Sequence, residues 1–251
     1  MNYNPFSLKG KTILVTGASS GIGRATAIEC AKMGARLILT ARNEERLKQT
    51  LQSLEAIEGE GHQMILADLS DSGEIDKLVN GIPQLDGLVN NAGISKLLPI
   101  QFINEQDLTN ILQVNAIAPI LLTQKIYKKK KINRGGSIVF TSSIGGVFRV
   151  TPGNAMYGVS KGAINVFMKS SALEMATKGI RCNSVNPGMV NTHLINRGVY
   201  TDEDRERDIN TYPLKRYGEP EEVAYSIIYL LSDASAWVTG ISLVIDGGVT
   251  L

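Results

Sequence analysis

The chain has 251 residues, of which 43% are hydrophobic, so it is long enough to bury a large core. Its net charge of +2 gives no general attraction to nucleic acid or to a membrane. Two cysteines exclude a dense disulfide framework, and no His, Cys or carboxylate cluster has metal-ligand spacing. Because the chain shows neither a secretory signal nor a membrane-length apolar run, we expect a soluble cytoplasmic protein without a metal.

Short apolar runs alternate with longer amphipathic stretches. Seven runs are apolar almost throughout, as is typical of strands covered on both faces of a sheet: residues 12–16, 37–40, 64–67, 87–90, 137–141, 181–186 and 242–245. Helical patterns lie around residues 22–33, 43–57, 71–81, 104–131, 155–178 and 219–232. We predict one α/β domain over residues 1–251, a doubly wound parallel sheet of about seven strands with helices on both faces. A polar insertion at about 188–217 is predicted to be a lid or substrate loop.

A glycine-rich turn, Thr16–Gly23, follows the first strand and opens the first helix. Glycine lets the main chain approach a phosphate closely, and a helix N-terminus supplies oriented N–H groups. The gaps of four and two residues between Gly17, Gly21 and Gly23 depart from the common G-x-G-x-x-G spacing. The turn predicts a nucleotide phosphate site, and a tight turn made only for packing is the alternative.

Tyr157 and Lys161 lie one helical turn apart and therefore share a face. An ammonium beside a phenol lowers the tyrosine pKa from about 10 toward neutrality, which makes a proton donor. Ser143 ends the fifth strand, where open α/β sheets bind ligands, and its hydroxyl would polarise a carbonyl. Ser142 is the rival for that role.

Asn115 lies in the middle of a predicted helix. Asparagine is a poor helix former because its side chain competes for main-chain groups. Its presence there therefore indicates a specific role. An ordinary buried asparagine bonded to a neighbouring strand is the alternative to a functional one.

Five motifs in this order resemble the classical short-chain dehydrogenase/reductase family: the glycine turn, residues 90–93, Tyr157-x-x-x-Lys161, residues 187–192 and residues 239–248. The resemblance runs from about Leu8 to Leu251, and the pattern is most similar to the 3-oxoacyl-(acyl carrier protein) reductase-like branch. It implies a Rossmann-type fold that holds a nicotinamide dinucleotide. It also implies a homotetramer formed through the long helices and the last strand.

The resemblance assigns positions along the dinucleotide. The implied cofactor-binding residues are Gly17, Ser19, Ser20, Gly21, Ile22, Gly23, Asp68, Leu69, Asn90, Ala92, Gly93, Tyr157, Lys161, Pro187, Gly188, Val190 and Thr192. For Asp68 the alternative is a cap on the following helix. Asn115 is implied to hold a water that links Lys161 to solvent.

The end of the second strand bears on the choice of nucleotide. NAD sites place a carboxylate there, but residues 40–42 contain none and end in Arg42. A guanidinium suits a 2′-phosphate, so we predict NADP(H), with NAD(H) as the alternative and with Ser19 or Arg24 assisting. The alternative is that Arg42 is a solvated residue at the start of a helix and pairs with one of the two glutamates that follow it.

Together these patterns predict an NADP(H)-dependent reductase of a ketone, or dehydrogenase of a secondary alcohol, with Asn115, Ser143, Tyr157 and Lys161 catalytic. The substrate is either a carrier-bound 3-oxoacyl thioester or a small free sugar, steroid or diketone. Lys131, Arg134 and Lys178 are either contacts for an acidic carrier protein or ordinary helix-end charges. A non-catalytic nucleotide-binding regulator is the alternative of another class.

Overall fold

The computed structural model of the protein describes residues 3–57, 61–192 and 201–251. Its strands are β1 (Thr12–Thr16), β2 (Arg36–Ala41), β3 (Gln63–Leu66), β4 (Leu85–Asn90), β5 (Ile132–Thr141), β6 (Arg181–Pro187) and β7 (Ser242–Ile245). They form one seven-stranded sheet in the order β3-β2-β1-β4-β5-β6-β7, and every pairing is parallel. The predicted doubly wound parallel sheet is confirmed.

Helices cover both faces of this sheet. They are α1 (Gly21–Lys32), α2 (Glu44–Glu55), α3 (Ser72–Gly81), α4 (Glu105–Leu112), α5 (Ala118–Lys128), α6 (Ala155–Met175), α7 (Asp202–Ile209) and α8 (Pro220–Leu231). One buried apolar cluster packs α3, α5 and α6 on the sheet, and a second packs α1, α2 and α8 on it. Burial on both faces explains why the central strands are apolar almost throughout.

The strand order creates a switch point between β1 and β4. From β1 the chain steps to β2 on one side, whereas β4 pairs with β1 on the other, with Val15 opposite Val89. Loops that leave adjacent strands in opposite directions open a crevice at their carboxyl ends, where such sheets bind ligands. The glycine turn after β1 and residues 91–93 after β4 meet there.

The prediction that every strand is covered on both faces is wrong for the two edge strands. Leu66 in β3 is 43% exposed, and all four residues of β7 are only half-buried. An edge strand has a neighbour on one side only, and local sequence does not reveal which strand lies at an edge.

The helical pattern predicted at 104–131 is confirmed for residues 105–128, but its period changes once. It is divided into α4, a π-helical turn at Gln113–Ile117 and α5, and β5 begins at Ile132 rather than at residue 137. Asn115 lies at the centre of the π-helical turn. Such turns are rare and often occur at functional sites.

The predicted insertion at 188–217 contains α7, but residues 193–200 lie outside the described residues. Across the three described ranges, no helix is long and apolar enough to cross a membrane. Within those ranges, too, no three His, Cys, Asp or Glu side chains are grouped as a metal site requires.

Candidate active site

The glycine turn is too tightly packed for side chains. Gly17 has φ +65°, and a Cβ there would lie 2.9 Å from the Cα of Ala92. A Cβ on Gly23 would lie 2.3 Å from the carbonyl oxygen of Gly17 and 2.5 Å from the amide nitrogen of Asn91. The turn is therefore a main-chain surface pressed against the loop after β4.

Thr16 and Asn91, which the sequence analysis did not single out, hold that surface. The Thr16 hydroxyl accepts hydrogen bonds from the main-chain N–H groups of Asn91 (2.9 Å) and Ala92 (3.0 Å). The Asn91 side chain donates to the carbonyl of Thr16 at 3.1 Å. The sequence signals for these two roles were a threonine directly before Gly17 and a second asparagine directly after Asn90.

The N-terminus of α1 opens at this turn. Ser20 is its N-cap, yet its side chain makes no hydrogen bond to the first turn of the helix as the structure describes it. Ser19, Ser20, Gly21 and Ile22 are all partly exposed. A methyl-sized group on Gly21 would lie 3.2 Å from the Thr192 methyl carbon, so the structure brings these two predicted residues together.

At the end of β2, Arg42 faces Asp68 rather than either following glutamate. Its guanidinium lies 3.7 Å from the Asp68 carboxylate, and both side chains are substantially exposed. Burial opposes ionisation of Asp68, but hydrogen bonds from Ser70 and the nearby Arg42 outweigh it and lower its pKa. The cap of α3 is Asp71, so the capping alternative for Asp68 is wrong.

The residues after β4 divide between packing and the crevice. Leu69 is buried, and the Asn90 side chain donates to the Thr123 hydroxyl on α5, so only the Asn90 main chain faces the strand end. Gly93 is different, because a Cβ there would lie 3.3 Å from Asn115 Oδ1 and 3.4 Å from Lys161 Nζ. Gly93 therefore lets the two predicted catalytic side chains approach each other.

The ammonium of Lys161 is buried beneath Tyr157. Its Nζ donates to the carbonyl of Thr141 at 2.7 Å and lies 5.6 Å from the centroid of the Tyr157 ring. Burial lowers the pKa of Lys161 from its ordinary 10.5 to about 8. A lysine with that pKa still carries its charge at neutral pH.

Burial raises the pKa of Tyr157, and the Ser143 hydroxyl offsets this only in part. The expectation that the Tyr157 pKa lies below its ordinary value is therefore wrong for this geometry. The physical reason is that a half-enclosed phenol disfavours the phenolate more strongly than these neighbours favour it.

Ser142 and Ser143 point to different surroundings. The buried Ser142 hydroxyl donates to the carbonyl of Lys161 at 3.0 Å and accepts from Asn165 at 3.1 Å. The partly exposed Ser143 hydroxyl accepts one bond, from the N–H of Gly145 at 3.1 Å. Of the two hydroxyls, only that of Ser143 lies beside the Tyr157 phenol.

Asn115 joins the loop after β4 to α6. Its Oδ1 accepts from the N–H of Ile94, and its Nδ2 donates to the Ile94 carbonyl, both at 2.8 Å, and to the Ser160 hydroxyl at 3.1 Å. The alternative, a bond to a neighbouring strand, is not what the structure shows. Both side-chain donor hydrogens are used, so this amide fixes the position of two elements of the site.

The loop after β6 completes the crevice. Pro187 ends β6, the N–H of Gly188 donates to Ile245, and the buried Val190 forms a bridge with Gly218. These contacts fix the chain that leads to Thr192 beside the glycine turn.

Comparison with known proteins agrees with this geometry. The family described as Enoyl-(Acyl carrier protein) reductase matches residues 17–250. The 3-oxoacyl-[acyl-carrier-protein] reductase of Rickettsia felis is 36% identical over 245 residues, which are 97% of this chain and 98% of that protein. The chain belongs to the short-chain dehydrogenase/reductase family.

Other members of the family are similar to this chain to nearly the same degree. The glucose 1-dehydrogenase of Gluconobacter oxydans is 35% identical over 248 residues, covering 96% of this chain and 92% of that protein. A solved dehydrogenase/reductase of Sinorhizobium meliloti has a TM-score of 0.90 at 31% identity and covers 98% of each chain. As a member of this family, the protein is an oxidoreductase acting on CH–OH groups.

The residues present fit the nicotinamide dinucleotide that a short-chain dehydrogenase/reductase uses. Gly17 and Gly21 carry no side chain and are partly exposed, so their main chain can approach a phosphate closely. The helix start without a side-chain cap leaves N–H groups for phosphate oxygens. Arg42 directly follows β2 and is exposed beside Asp68.

The three cations considered as contacts for a carrier protein lie at the amino ends of the strands, away from Tyr157. Lys131 and Arg134 stand at the start of β5, and Lys178 precedes β6, whereas Tyr157 lies at the strands' carboxyl ends. Ten residues of β5 separate the edges, roughly 25–30 Å. Each cation also has a partner within the chain: the Ile82 carbonyl, the Thr177 carbonyl and the Tyr127 ring, respectively.

Proposed function

We propose that the protein is an NADP(H)-dependent reductase of ketones, or dehydrogenase of secondary alcohols, in which Tyr157 is the acid and base. The observation that supports this most directly is the cluster of Ser143, Tyr157 and Lys161 at the carboxyl edge of the sheet, beside the glycine turn. A proton donor, a hydroxyl and a buried cation meet where a carbonyl would lie next to a dinucleotide.

The proposed roles follow from these positions. The nicotinamide, when bound, supplies the hydride to the carbonyl carbon. Tyr157 donates its phenolic proton to the carbonyl oxygen as negative charge develops there, and the Ser143 hydroxyl donates a hydrogen bond to the same oxygen. In the oxidising direction, the Tyr157 phenolate takes the proton back.

Lys161 supports this chemistry with its charge. Its ammonium stabilises the phenolate that proton donation leaves on Tyr157, and its pKa of about 8 keeps it protonated at neutral pH. We propose that Lys161 then returns a proton to Tyr157, through water held beside Asn115. Gly93 supports this relay, since its missing side chain leaves Asn115 and Lys161 close together.

The preference for NADP(H) rests on Arg42. Among the described residues, its exposed guanidinium lies within 4 Å of one carboxylate, that of Asp68 at 3.7 Å, and residues 40–42 contain no carboxylate that would repel a 2′-phosphate. Arg42 therefore has donors available for that phosphate.

The test is oxidation of NADPH and NADH by the purified protein against a panel of ketones that includes a β-ketoacyl thioester. We expect Tyr157→Phe to lower kcat about 10²- to 10⁴-fold without weakening nucleotide binding. Tyr127→Phe, near the C-terminal end of α5, is the matched control and should retain full activity. Arg42→Ala should weaken NADPH about tenfold or more and leave NADH unchanged, whereas Arg46→Ala should change neither.

Three results would contradict parts of the proposal. An equally active Tyr157→Phe enzyme would remove the assigned acid. A wild-type preference for NADH would remove the role of Arg42 alone. Saturable nucleotide binding without turnover of any carbonyl would favour the non-catalytic regulator.

For the substrate, only a chemical class is proposed. One relative is named for carrier-bound 3-oxoacyl groups and another for glucose, at 36% and 35% identity, so relatedness does not choose between them. We propose a 3-oxoacyl thioester first, with small free sugars, steroids or diketones as the alternative. Any carrier would contact the edge near Tyr157, because Lys131, Arg134 and Lys178 lie at the other one. Turnover of a free β-ketoacyl thioester but of no sugar would support the first choice.

We also retain the homotetramer as a proposal. Val159, Val166 and Leu173 lie seven residues apart on α6 and are 60%, 68% and 80% exposed, which makes an apolar stripe on its outer face. The half-buried β7 leaves an open sheet edge. A molecular mass near 27.1 kDa by light scattering, the mass of one chain, would contradict this proposal.

A further inference from the structure

A cavity of about 310 Å³ lies beside the glycine turn. It is bounded by the first turns of α1 and α8 and by Asn191, Thr192 and Arg205. Because Gly21 lines it, the cavity adjoins the turn proposed for the dinucleotide phosphates. Arg205 belongs to α7, within the insertion predicted to be a lid or substrate loop, and none of the sequence motifs includes it.

The Arg205 side chain is held in place by polar contacts. Its Nη2 donates to the side-chain oxygen of Asn191 at 3.1 Å, and the Asn191 amide nitrogen donates in turn to the Glu219 carboxylate at 2.6 Å. The guanidinium carbon lies 5.7 Å from the centroid of the Tyr217 ring. The Tyr217 hydroxyl donates to Asp208, which ties the ring back to α7.

Among the described residues, these contacts leave most donors of the guanidinium without an acceptor. A guanidinium has five N–H donors, and the bond to Asn191 uses one. Among the described residues, no carboxylate oxygen lies within 4 Å of Arg205, and the sequence of residues 193–200 contains no Asp or Glu. Arg205 is thus a half-buried cation held at a polar cavity without an acidic partner.

The other charged residues around the cavity do not take the place of Arg205. Arg24 also lines the cavity, but its guanidinium donates to the Ser53 hydroxyl on α2 and is exposed. Glu221 is the one carboxylate in the lining and disfavours an anion there. An anion bound at this cavity therefore depends on Arg205 and on the N–H groups that begin α1.

We propose that Arg205 binds the pyrophosphate of the dinucleotide across this cavity, with Asn191, Glu219 and Tyr217 as its positioning residues. The planar fork of a guanidinium matches two phosphate oxygens, and such charge-assisted bonds are among the strong ones. The inference rests on the proposed function, because it requires a dinucleotide at the glycine turn.

The test is the dissociation constant of three ligands, measured by calorimetry for the full-length wild type, Arg205→Gln and Arg207→Gln. Arg207 is the matched control because it lies on the same helix, is exposed, and has only a 3.8 Å contact with Asp204. The ligands are NADPH, 2′-phospho-ADP-ribose, which retains the pyrophosphate without nicotinamide, and adenosine 2′-monophosphate, which has no pyrophosphate. Melting curves verify that both variants are folded.

We expect Arg205→Gln to weaken NADPH and 2′-phospho-ADP-ribose by the same factor, about 10- to 100-fold, and to leave adenosine 2′-monophosphate unchanged. Arg207→Gln should change each constant less than about threefold, since an exposed charge is screened. Arg205→Lys keeps the charge without the fork and should recover part of the affinity.

Two results would overturn the inference alone. In the first, the wild type binds NADPH, and Arg205→Gln and Arg207→Gln both bind NADPH as tightly as the wild type does. In the second, Arg205→Gln weakens adenosine 2′-monophosphate as much as 2′-phospho-ADP-ribose, which would place the contact elsewhere. If the wild type bound none of the three ligands, the proposed function would fail and this inference with it.

Discussion

Two groups of polar residues on α6 differ in how fully the protein satisfies them. Tyr157, Lys161 and Asn165 are four residues apart and so share one face of the helix. Around Asn165, buried and half-buried side chains bond to one another: Ser142, Ser184, Asn186 and Ser242 all contact its amide at 2.6–3.1 Å. Around Tyr157, by contrast, the Ser143 hydroxyl and the phenol lie beside each other and are both partly exposed.

The contrast separates positioning from chemistry. A satisfied buried network holds elements together, because each of its groups would be costly to leave unpaired. Groups left with free hydrogen-bonding capacity at the edge of a sheet are available to a substrate. The network below therefore fixes α6 against β5, β6 and β7, and the cluster above it is left to react.

The largest effect should separate the two neighbouring serines. Ser143→Ala removes a donor to the developing oxyanion, so we expect kcat/KM to fall about 10²- to 10³-fold with an unchanged melting temperature. Ser142→Ala instead leaves the Lys161 carbonyl and the Asn165 amide short of a partner. It should cost about 1–3 kcal/mol of unfolding free energy and leave the activity of the folded enzyme within about tenfold. The reverse pattern in steady-state kinetics and urea unfolding would break the comparison.

The second effect is a pH dependence that only the upper cluster should show. Lys161 has a folded pKa of about 8 against an ordinary value of 10.5. Between these pH values the unfolded chain holds a proton that the folded chain has released, so stability rises with pH. The unfolding free energy of the wild type, relative to Lys161→Met, should increase by up to about 3 kcal/mol across this window and stay constant below pH 8. A flat difference in urea unfolding from pH 7 to 10.5 would contradict the lowered pKa.

The third effect concerns the network itself. Asn165→Leu removes the amide that joins four side chains and should lower the unfolding free energy by about 2–3 kcal/mol, equally at pH 7 and pH 10. Asn110→Leu, at an exposed position of α4, is the matched control and should change stability by less than about 0.5 kcal/mol. If Asn165→Leu were as mild as its control, the network would not be what holds α6.

Much of the fold follows from local patterns. Apolar runs of four to six residues between amphipathic stretches were enough to predict the parallel sheet, because the side-chain periods of a strand and of a helix are set by backbone geometry within one element. The same patterns did not reveal that β3 and β7 are edges, or that Asn115 sits in a π-helical turn. Those features depend on which elements lie next to each other.

The site shows the same division. The sequence by itself determined the family, the glycine turn and the pair Tyr157 and Lys161, because their spacing encodes one turn or one helix face. Only the tertiary structure decided between Ser142 and Ser143, turned Asn90 toward α5, made Asn165 the centre of a network and placed Arg205 at the cavity. Burial reversed the expected pKa shift of Tyr157 as well. Desolvation and hydrogen-bond partners come from residues distant in the chain, and no local spacing records them.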